Sequence, residues 1–292
     1  MAIAPDTNLK AVEIPPHLDT RLGEILYDEG TLSEQDFKRI QAAQNEKGEC
    51  FSDVALRLGL ITELEVRRAL AVQCELAANL SNNKIFSSAL SMVHRPKSAR
   101  AEAIRSLRSE LMSRCFARNH QILMVTEVRH DDGANVLAAD LACAFSQLGR
   151  RTLLIDANLR TPQQQGMFKM EGQRGLVDFL KGYCNPQDLL HSIPGFYHLS
   201  VIFAGKPPVN PQELLSLTTL RYLFDSVQKA FDTAIVVAPP LADCADAQVV
   251  ASRTHGCILS ARRNVTPTAD VELAAELLST TRTELLGVVL DG

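Results

Sequence analysis

The stretch QILMVTEVRHDDGANVLAADLACAFSQLGRRTLLIDANLR, residues 121–160, decides the fold class of this chain. It begins with an apolar run of strand length at Gln121–Thr126 and continues through the polar loop 127–135. An alanine-rich segment of helical length follows at Val136–Leu148, and a second apolar run lies at Arg151–Asp156. Because a helix is the usual crossover between parallel neighbouring strands, this stretch predicts a β–α–β unit.

The same alternation continues beyond this unit. Four more apolar runs are predicted to be strands: Leu199–Phe203, Thr233–Val237, Gly256–Ser260 and Leu286–Leu290. The segments between them have helical patterns: Gln212–Ser216, Thr219–Phe231, Ala245–Arg253 and Ala269–Ser279. Strands that alternate with helices predict an α/β fold, a mostly parallel sheet with helices on both faces.

Length and composition limit the function classes. The 292 residues are enough for two domains, and a net charge of −4 argues against a general nucleic-acid binder. No apolar run reaches the length of about 18–20 residues that spans a bilayer, and the seven cysteines form no C-x-x-C pair. We therefore expect a cytoplasmic protein without a metal site, linked to any membrane only through a partner.

The first part of the chain contains a repeat. Residues 21–44 and 50–73 are two 24-residue units separated by five residues, each typical of a short helix, a glycine turn and a longer helix. Ser33 and Thr62 are the expected N-caps of the longer helices. We predict a disordered tail at 1–18, a small all-α domain of two helical repeats at 19–75, a linker at 76–98 and the α/β domain at 99–292.

Charge separates these segments. Residues 1–80 hold 8 Lys/Arg against 14 Asp/Glu, a net of −6, whereas residues 81–118 hold 8 against 2, a net of +6. A helix predicted from Ser98 to Phe116 carries Glu102, Arg105 and Arg108, whose three-residue spacing places them on one stripe. The stripe is either a solvated face or a head-to-tail subunit contact.

The repeats resemble the cyclic-di-GMP-binding domain at the N-terminus of MshE-type secretion and pilus ATPases. The resemblance implies that the dinucleotide is held by the matching residues Arg21, Leu22, Gly23, Leu26, Gln44, Asp53 and Gln73. The second unit departs from the pattern, because Cys50-Phe51-Ser52 stands where a cation, a Leu and a Gly are expected. Losing that cation and that Gly weakens phosphate contact, so a protein-docking module is the alternative to a cyclic-di-GMP site.

Residues 20–292 resemble the bacterial tyrosine autokinases, and among them the EpsG-like chain-length determinant kinases, which have a P-loop-type fold. The matching segments are EAIRSLRSEL from Glu102, LGRRTLLIDANLRTP from Leu148, FAGKPPVNPQELL from Phe203 and FDTAIVVAPP from Phe231. The resemblance implies ring assembly through Glu102, Arg105 and Arg108. It also implies ATP and Mg²⁺ as cofactors, and as partner a membrane co-polymerase or another component of exopolysaccharide synthesis and export.

The nucleotide-binding pattern of that family is incomplete here. In the aligned loop, Gly133 is retained, Ala134 stands at the lysine position and Asn135 at the Ser/Thr position that holds Mg²⁺. After the second strand, Asp156 and Arg160 are retained, as vestiges of the catalytic Asp-x-Asp-x-Arg motif. Four further residues depart from the pattern: Asp131 and Asp132 add negative charge in the loop, Asn158 replaces a carboxylate, and Val237 replaces a metal-binding Asp.

These departures favour a pseudo-kinase, a regulator or scaffold that binds ATP and Mg²⁺ poorly. We expect it to form a homo- or hetero-oligomer and not to bind nucleic acid. The alternative is an active tyrosine autokinase that uses a non-standard phosphate loop. A MinD/ParA-like positioning ATPase is a weaker alternative, since it needs the same loop. The tyrosines lie at 27, 183, 197 and 222, so we expect no tyrosine-rich tail for autophosphorylation.

Overall fold

The computed structural model describes residues 20–47, 51–69, 86–114 and 121–291. Residues 121–291 form one seven-stranded sheet with the order β3-β4-β2-β5-β1-β6-β7. The strands are β1 Ile122–Glu127, β2 Thr152–Asp156, β3 His191–Ile193, β4 Phe196–Ile202, β5 Thr233–Val237, β6 Gly256–Arg262 and β7 Glu284–Asp291. All neighbouring pairs are parallel except the antiparallel pair β3–β4. The predicted α/β fold with a mostly parallel sheet is therefore confirmed.

The helices are α1 Thr20–Asp28, α2 Glu34–Lys47, α3 Phe51–Arg57, α4 at 63–69, α5 Ser91–His94, α6 Ala99–Arg114, α7 Ala134–Ser146, α8 Gln164–Met167, α9 Leu176–Leu180, α10 Pro211–Ser216, α11 Thr218–Ala230, α12 Asp246–Ala251 and α13 Thr268–Ser279. Within the described residues, every helix is too short or too polar to cross a membrane.

The sheet is buried on both faces. Every residue of β1, β2 and β5 is buried, and α7 lies along the sheet with nearly all of its side chains buried. Two apolar clusters result, one on each face of the strands. Continuous apolar runs, rather than alternating ones, are what a parallel sheet covered on both faces requires.

Residues 86–98 correct the predicted linker 76–98. Phe86 and Leu90 are buried in the same apolar cluster as α6 and α7. The carboxylate of Asp140, in the middle of α7, accepts hydrogen bonds from the Ser91 hydroxyl over 2.6 Å and from the Met92 amide over 2.9 Å. This segment therefore belongs to the α/β unit; the small residues around its apolar positions hid that in the sequence. Residues 76–85 lie outside the described residues, as does the predicted tail 1–18.

The two helical units repeat in detail with an offset of 29 residues. Gly30 and Gly59 both adopt left-handed backbone, with φ of 74° and 67°. The amide after Gly30 donates to the Leu26 carbonyl over 2.8 Å, and the amide after Gly59 donates to the Ala55 carbonyl over 3.0 Å. The same helix-ending turn is thus formed twice, and at both places only glycine adopts the backbone without strain.

The predicted N-caps are confirmed. The Ser33 hydroxyl accepts the Asp36 amide over 3.2 Å, and the Asp36 carboxylate accepts the Ser33 hydroxyl over 2.6 Å. In the second unit the Thr62 hydroxyl accepts the Glu65 amide over 3.4 Å, while the Glu65 carboxylate accepts the Thr62 amide over 2.7 Å. Reciprocal bonds of this kind satisfy the first free amides of α2 and α4.

Candidate functional site

The candidate site lies at the carboxyl edge of the sheet, where β1, β2 and β5 end. Asp156 at the end of β2 is in register with Val237 at the end of β5, and Glu127 ends β1 beside Ser260 of β6. Loop 128–133 leads from β1 into α7. In open α/β sheets, ligands bind outside this edge. The structure thus brings the predicted residues of the loop and Asp156 to one side of the sheet.

Gly133 starts α7 in a left-handed conformation, with φ of 91°. A Cβ added to this residue would come within 2.7 Å of the Asp291 carboxylate, which belongs to the end of β7. Asp291 is ion-paired with Arg100 of α6, and the same guanidinium lies 3.7 Å from the carboxylate of Asp140. A carboxylate therefore lies against the one loop glycine that the family pattern retains.

Glu127 was missed in the sequence analysis. Its carboxylate is buried and accepts the Ala134 amide, the first helical N–H of α7, over 3.2 Å. Burial raises the pKa of Glu127, and the Asp132 and Asp131 carboxylates add to that effect, whereas the bond from Ala134 opposes it. The available signal was a charged residue at the end of an otherwise apolar strand. Glu127 supplies negative charge to a helix N-terminus from within the chain.

Asp132 holds the loop against β6. Its buried carboxylate accepts the Arg129 amide over 3.0 Å and the Thr266 hydroxyl over 2.7 Å. Its carbonyl accepts the Ser260 hydroxyl over 2.5 Å. Bonds of this kind are each worth about 1 kcal/mol or more in net stability, so the loop is ordered by its own side chains.

Two exposed arginines extend these contacts. Arg262 donates to the Asp131 carbonyl, and Arg129 is ion-paired with Asp270 of α13. Asp131 itself has φ of 68°, an unusual conformation for a residue other than glycine. Arg129 and Arg262 are therefore engaged with a carboxylate and a carbonyl of the protein itself.

Asp156 is completely buried and accepts three backbone amides. The donors are Asn158, Gln163 and Gln164, at 3.1, 3.2 and 3.1 Å. Burial raises the pKa of Asp156 to about 7, against the opposing effect of these bonds. The carboxylate retained from the family motif thus holds the turn after β2 and the start of α8.

Asn135 and Gln164 connect the first turn of α7 with α8. The Gln164 side-chain amide donates to the Asn135 carbonyl over 3.1 Å, and both residues are buried. The Gln164 Oε1 atom has no hydrogen-bond partner among the described residues. The residue at the predicted Mg²⁺-binding hydroxyl position therefore lies in a buried polar contact between two helices.

Arg160 forms a two-point ion pair with Asp246 at the start of α12. Its Nε and Nη2 atoms lie 2.7 and 3.1 Å from the two oxygens of the Asp246 carboxylate. The Asp246 side chain is fully buried, whereas 44% of the Arg160 side chain is exposed. The guanidinium neutralises a buried carboxylate, and the geometry is the bidentate one that suits arginine.

The three predicted assembly residues all lie on α6. Glu102 is mostly exposed and ion-paired with Arg105, which also donates to the Pro96 carbonyl over 2.7 Å. Arg108 donates to the Ala144 carbonyl of α7 over 2.8 Å. Both arginines therefore contact their own chain, and Glu102 presents the most accessible charge of the stripe.

The residues predicted to bind cyclic-di-GMP divide into two groups. Leu22, Gly23 and Leu26 are buried in the helical module, and a Cβ on Gly23 would come within 2.5 and 2.7 Å of the rings of Phe37 and Phe51. Of the others, Asp53 is exposed on α3. Arg21 lies in α1 and Gln44 in α2, but their side chains are outside the described part of the structure, and Gln73 lies outside the described residues altogether. Gly23 thus allows close packing of aromatic rings within the module.

Comparison with known proteins identifies the family. No family model matches the chain. Tyrosine-protein kinase YwqD of Bacillus subtilis is 32% identical over 197 residues, which cover 68% of this chain and 83% of YwqD. The chain belongs to the bacterial tyrosine-protein kinase family. Putative tyrosine-protein kinase CapB of Staphylococcus aureus, another member, is 27% identical over 212 residues, covering 73% of this chain and 92% of CapB.

Solved structures agree with the kinase family. The kinase domain of Escherichia coli tyrosine kinase Etk superposes with a TM-score of 0.68 and 28% identity, over 72% of this chain and 82% of that domain. The chimerical protein CapA2B2 gives 0.65 and 28%, over 73% and 97%. The septum site-determining protein MinD of Pyrococcus horikoshii, at 17% identity and 0.51, shows the shared fold alone. The predicted family and its P-loop-type fold are confirmed.

The carboxyl edge of the sheet, where the candidate site lies, is rich in carboxylates. Glu127, Asp132 and Asp156 are buried there and engaged with backbone amides, and Asp291 lies beside Gly133. Loop 127–135 contains no lysine. In the described ranges, no three His, Cys, Asp or Glu side chains are arranged to hold a metal ion.

Proposed function

We propose that this kinase-family chain is a pseudo-kinase, a regulator or scaffold of exopolysaccharide chain length, polymerisation and export. The observation that carries the proposal is the hydrogen bond from the Ala134 amide to the Glu127 carboxylate. A phosphate loop works because its free amides and those of the helix N-terminus donate hydrogen bonds to phosphate oxygens. Here an internal carboxylate takes the first helical amide, and Ala134 offers no ammonium group.

Electrostatics support the same conclusion. Glu127 accepts the amide of the residue after Gly133, Asp291 lies beside Gly133, and Asp131 and Asp132 directly precede it in the chain. Two like charges about 4 Å apart repel by about 1 kcal/mol in water and by about 4 kcal/mol near a protein surface. A triphosphate would meet this repulsion without a lysine to offset it. Val237 ends β5 with an apolar side chain that offers Mg²⁺ no oxygen, so these residues do not fit magnesium ATP.

An active tyrosine autokinase with a non-standard loop is the second candidate. It is favoured by Asp156, a carboxylate at the end of β2 whose pKa of about 7 suits proton transfer near neutral pH. Against it, that carboxylate already accepts three backbone amides and Arg160 neutralises Asp246. We therefore place Asp156 and Arg160 in the structure of this edge rather than in phosphoryl transfer.

Isothermal titration of the full chain with magnesium ATP, together with a radiolabelled-phosphate assay, tests the proposal. We expect no saturable binding in the micromolar range and no label on tyrosine. A Glu127→Gln/Asp132→Asn double variant removes two repelling charges and should bind ATP more tightly than the wild type. Asp225→Asn, an exposed change on α11, is its control. Micromolar binding with tyrosine phosphorylation by the wild type would overturn the proposal.

The partner side of the proposal concerns α6. We propose that the chain forms a homo- or hetero-oligomer through the exposed Glu102. We also propose that it reaches the cytoplasmic face of the inner membrane by binding a membrane chain-length co-polymerase or another export component. Sedimentation of Glu102→Arg should show a smaller assembly than the wild type. Glu110→Arg, on the same helix and also exposed, should not. Equal sedimentation of all three proteins would contradict a subunit contact at Glu102.

A response to cyclic-di-GMP is the last part of the proposal. The duplicated turns and N-caps of the helical module support two equivalent half-sites, whereas Ser52 stands where the second unit lacks its glycine and Phe51 packs against Gly23 of the first unit. Titration of the full chain with cyclic-di-GMP should give saturable binding that is lost in Arg21→Ala. The control is Arg67→Ala, an exposed arginine on α4. Without binding, the module is a protein-docking unit.

A further inference from the structure

The four tyrosines of the chain differ in how the backbone holds them. Tyr27 lies in α1, Tyr197 near the start of β4, the strand next to the edge strand β3, and Tyr222 in α11. Tyr183 lies in none of these regular elements, because it follows α9 in an irregular turn. Its side chain is 72% exposed, compared with 47% for Tyr27 and 51% for Tyr222.

The turn presents Tyr183 outward from the α/β domain. Gly182 has φ of 77°, which reverses the chain after α9, and the Tyr183 amide donates to the Asp178 carbonyl over 2.8 Å. The next turn starts at Asn185, whose amide donates to the Asp188 carboxylate over 3.1 Å. Lys181, Gly182 and Tyr183 are consecutive exposed residues. The amides of Lys181, Gly182 and Tyr183 all donate to carbonyls of α9, so the phenol projects from an ordered turn that caps the end of this helix.

Phosphoryl transfer to a tyrosine selects for such a position. The acceptor oxygen must line up with the transferred phosphoryl group and its leaving oxygen inside the kinase site. A highly exposed phenol on a surface turn reaches that geometry with little change in the protein, whereas a less exposed phenol must first leave part of its packing. Tyr27, Tyr197 and Tyr222 are all less exposed than Tyr183, so they carry more of that cost.

We propose that Tyr183 is a phosphate-acceptor site, modified in trans by an active tyrosine kinase of the same family. In the reaction, the Tyr183 hydroxyl oxygen forms a bond with the γ-phosphorus of the ATP bound by that kinase, and the bond between this phosphorus and the β–γ bridging oxygen breaks. ADP leaves, and the phenolic proton passes to a base of that kinase or to water. The inference rests on the proposed function, because a pseudo-kinase depends on another enzyme for its phosphate.

The surroundings of Tyr183 contain cations that a phosphate could recruit. Arg174 is exposed and lies 3.5 Å from the Asp188 carboxylate, an ion pair of low strength. Arg174 also acts on Cys184, the residue after Tyr183. Burial and the carboxylates of Asp178 and Asp188 raise the pKa of the Cys184 thiol, whereas the charge of Arg174 lowers it. A phosphate carries a charge of about −1.5 to −2 at pH 7 and competes for Arg174 better than a single carboxylate does.

The experiment uses the full chain and the kinase domain of Escherichia coli Etk as the active enzyme. Three reactions with magnesium ATP are compared by mass spectrometry of tyrosine phosphopeptides: the chain alone, the Etk domain alone and the two together. In the mixture we expect phosphate on Tyr183 at an occupancy at least about tenfold above that of Tyr27, Tyr197 or Tyr222, because those three phenols are less exposed and must leave more of their packing. Tyr183→Phe should lose the signal, and Tyr222→Phe should keep it.

The outcomes separate the two proposals. Phosphate placed mainly on another tyrosine, or none on the chain while the Etk domain labels itself, overturns the acceptor assignment. Phosphate on Tyr183 in the chain alone keeps the assignment and overturns the pseudo-kinase proposal. Circular dichroism checks that Tyr183→Phe is folded like the wild type, as we expect because an exposed turn residue contributes little to folding. A lost phosphopeptide signal in a folded variant then reflects the missing hydroxyl.

Discussion

The carboxylate of Asp291 lies against the Cα atom of Gly133, so that a side chain at residue 133 would meet it at 2.7 Å. The two residues are far apart in the sequence, one at the start of α7 and the other at the end of β7. Arg100 of α6 is ion-paired with the same carboxylate. The phosphate-loop glycine is thus linked to the last strand and to the proposed assembly helix through one acidic side chain.

Replacing Gly133 by alanine should destabilise the chain through two effects. The residue has φ of 91°, which costs a residue with a Cβ about 1–2 kcal/mol. The added methyl group would also displace the Asp291 carboxylate from its place beside Arg100. We expect urea unfolding to show a total loss of about 2–3 kcal/mol.

Gly172→Ala is the matched control for this prediction. Gly172 has φ of 74°, and a Cβ there would meet nothing within 4 Å. It should therefore lose only the backbone part, about 1–2 kcal/mol. Equal losses at Gly133 and Gly172 would show that the contact with Asp291 contributes nothing.

Variants of Glu127 test whether its carboxylate occupies the first amide of α7, that of Ala134. Glu127→Gln keeps an oxygen that accepts the Ala134 amide, so we expect a change of less than about 1 kcal/mol in the free energy of unfolding. Glu127→Ala leaves a buried amide without a partner and removes packing, which should cost about 2–3 kcal/mol. Hydrogen exchange at the Ala134 amide should be faster in the alanine variant and slow in the glutamine variant. Slow exchange in both would mean that another group accepts this amide.

Local pattern was sufficient for most of the fold. The apolar run Thr233–Val237 predicted β5 with its observed bounds, and Ser33 and Thr62 predicted the starts of α2 and α4. These features depend on residues within one turn or one strand. The strand β3, His191–Ile193, was missed because three residues, two of them polar, carry no periodic signal.

The features that the sequence did not reveal depend on contacts between residues that are distant in sequence. The sequence placed Asp156 and Arg160 in a vestigial catalytic motif, but the partner of Arg160 is Asp246, 86 residues away. The sequence placed Ser91 in a linker, but its hydroxyl donates to the carboxylate of Asp140, 49 residues away. Such pairings depend on the packing of whole elements, so residue types and spacing alone do not reveal them.

Asp156 should make stability depend on pH in a defined direction. Its pKa is about 7 in the folded chain and 3.8 in the reference state. Between these values the folded state binds more protons than the unfolded state, so stability falls as pH rises from about 4 to 7, by at most about 1.4 kcal/mol per pH unit. Above that range this contribution no longer changes.

Asp156→Asn isolates this contribution, because the variant keeps a carbonyl acceptor and loses the titrating group. Urea unfolding of both proteins at pH 5 and pH 7.5 gives the difference. We expect the wild type to lose stability relative to the variant on going to pH 7.5. An unchanged difference between the two proteins would mean that the three backbone amides outweigh burial and that the carboxylate is ionised throughout this pH range.

Arg160 distinguishes a structural role from a catalytic one. Arg160→Ala leaves the fully buried Asp246 carboxylate without its two-point partner, and breaking such a pair costs about 3–5 kcal/mol when both groups are buried. Because 44% of the Arg160 side chain is exposed, we expect a loss of about 2 kcal/mol. Asp246→Asn alone should cost less, and the double variant should recover part of the Arg160→Ala loss, since no buried charge then remains. If Arg160→Ala unfolds at the same urea concentration as the wild type, the ion pair does not stabilise the edge, and Arg160 returns as a candidate for phosphate contact.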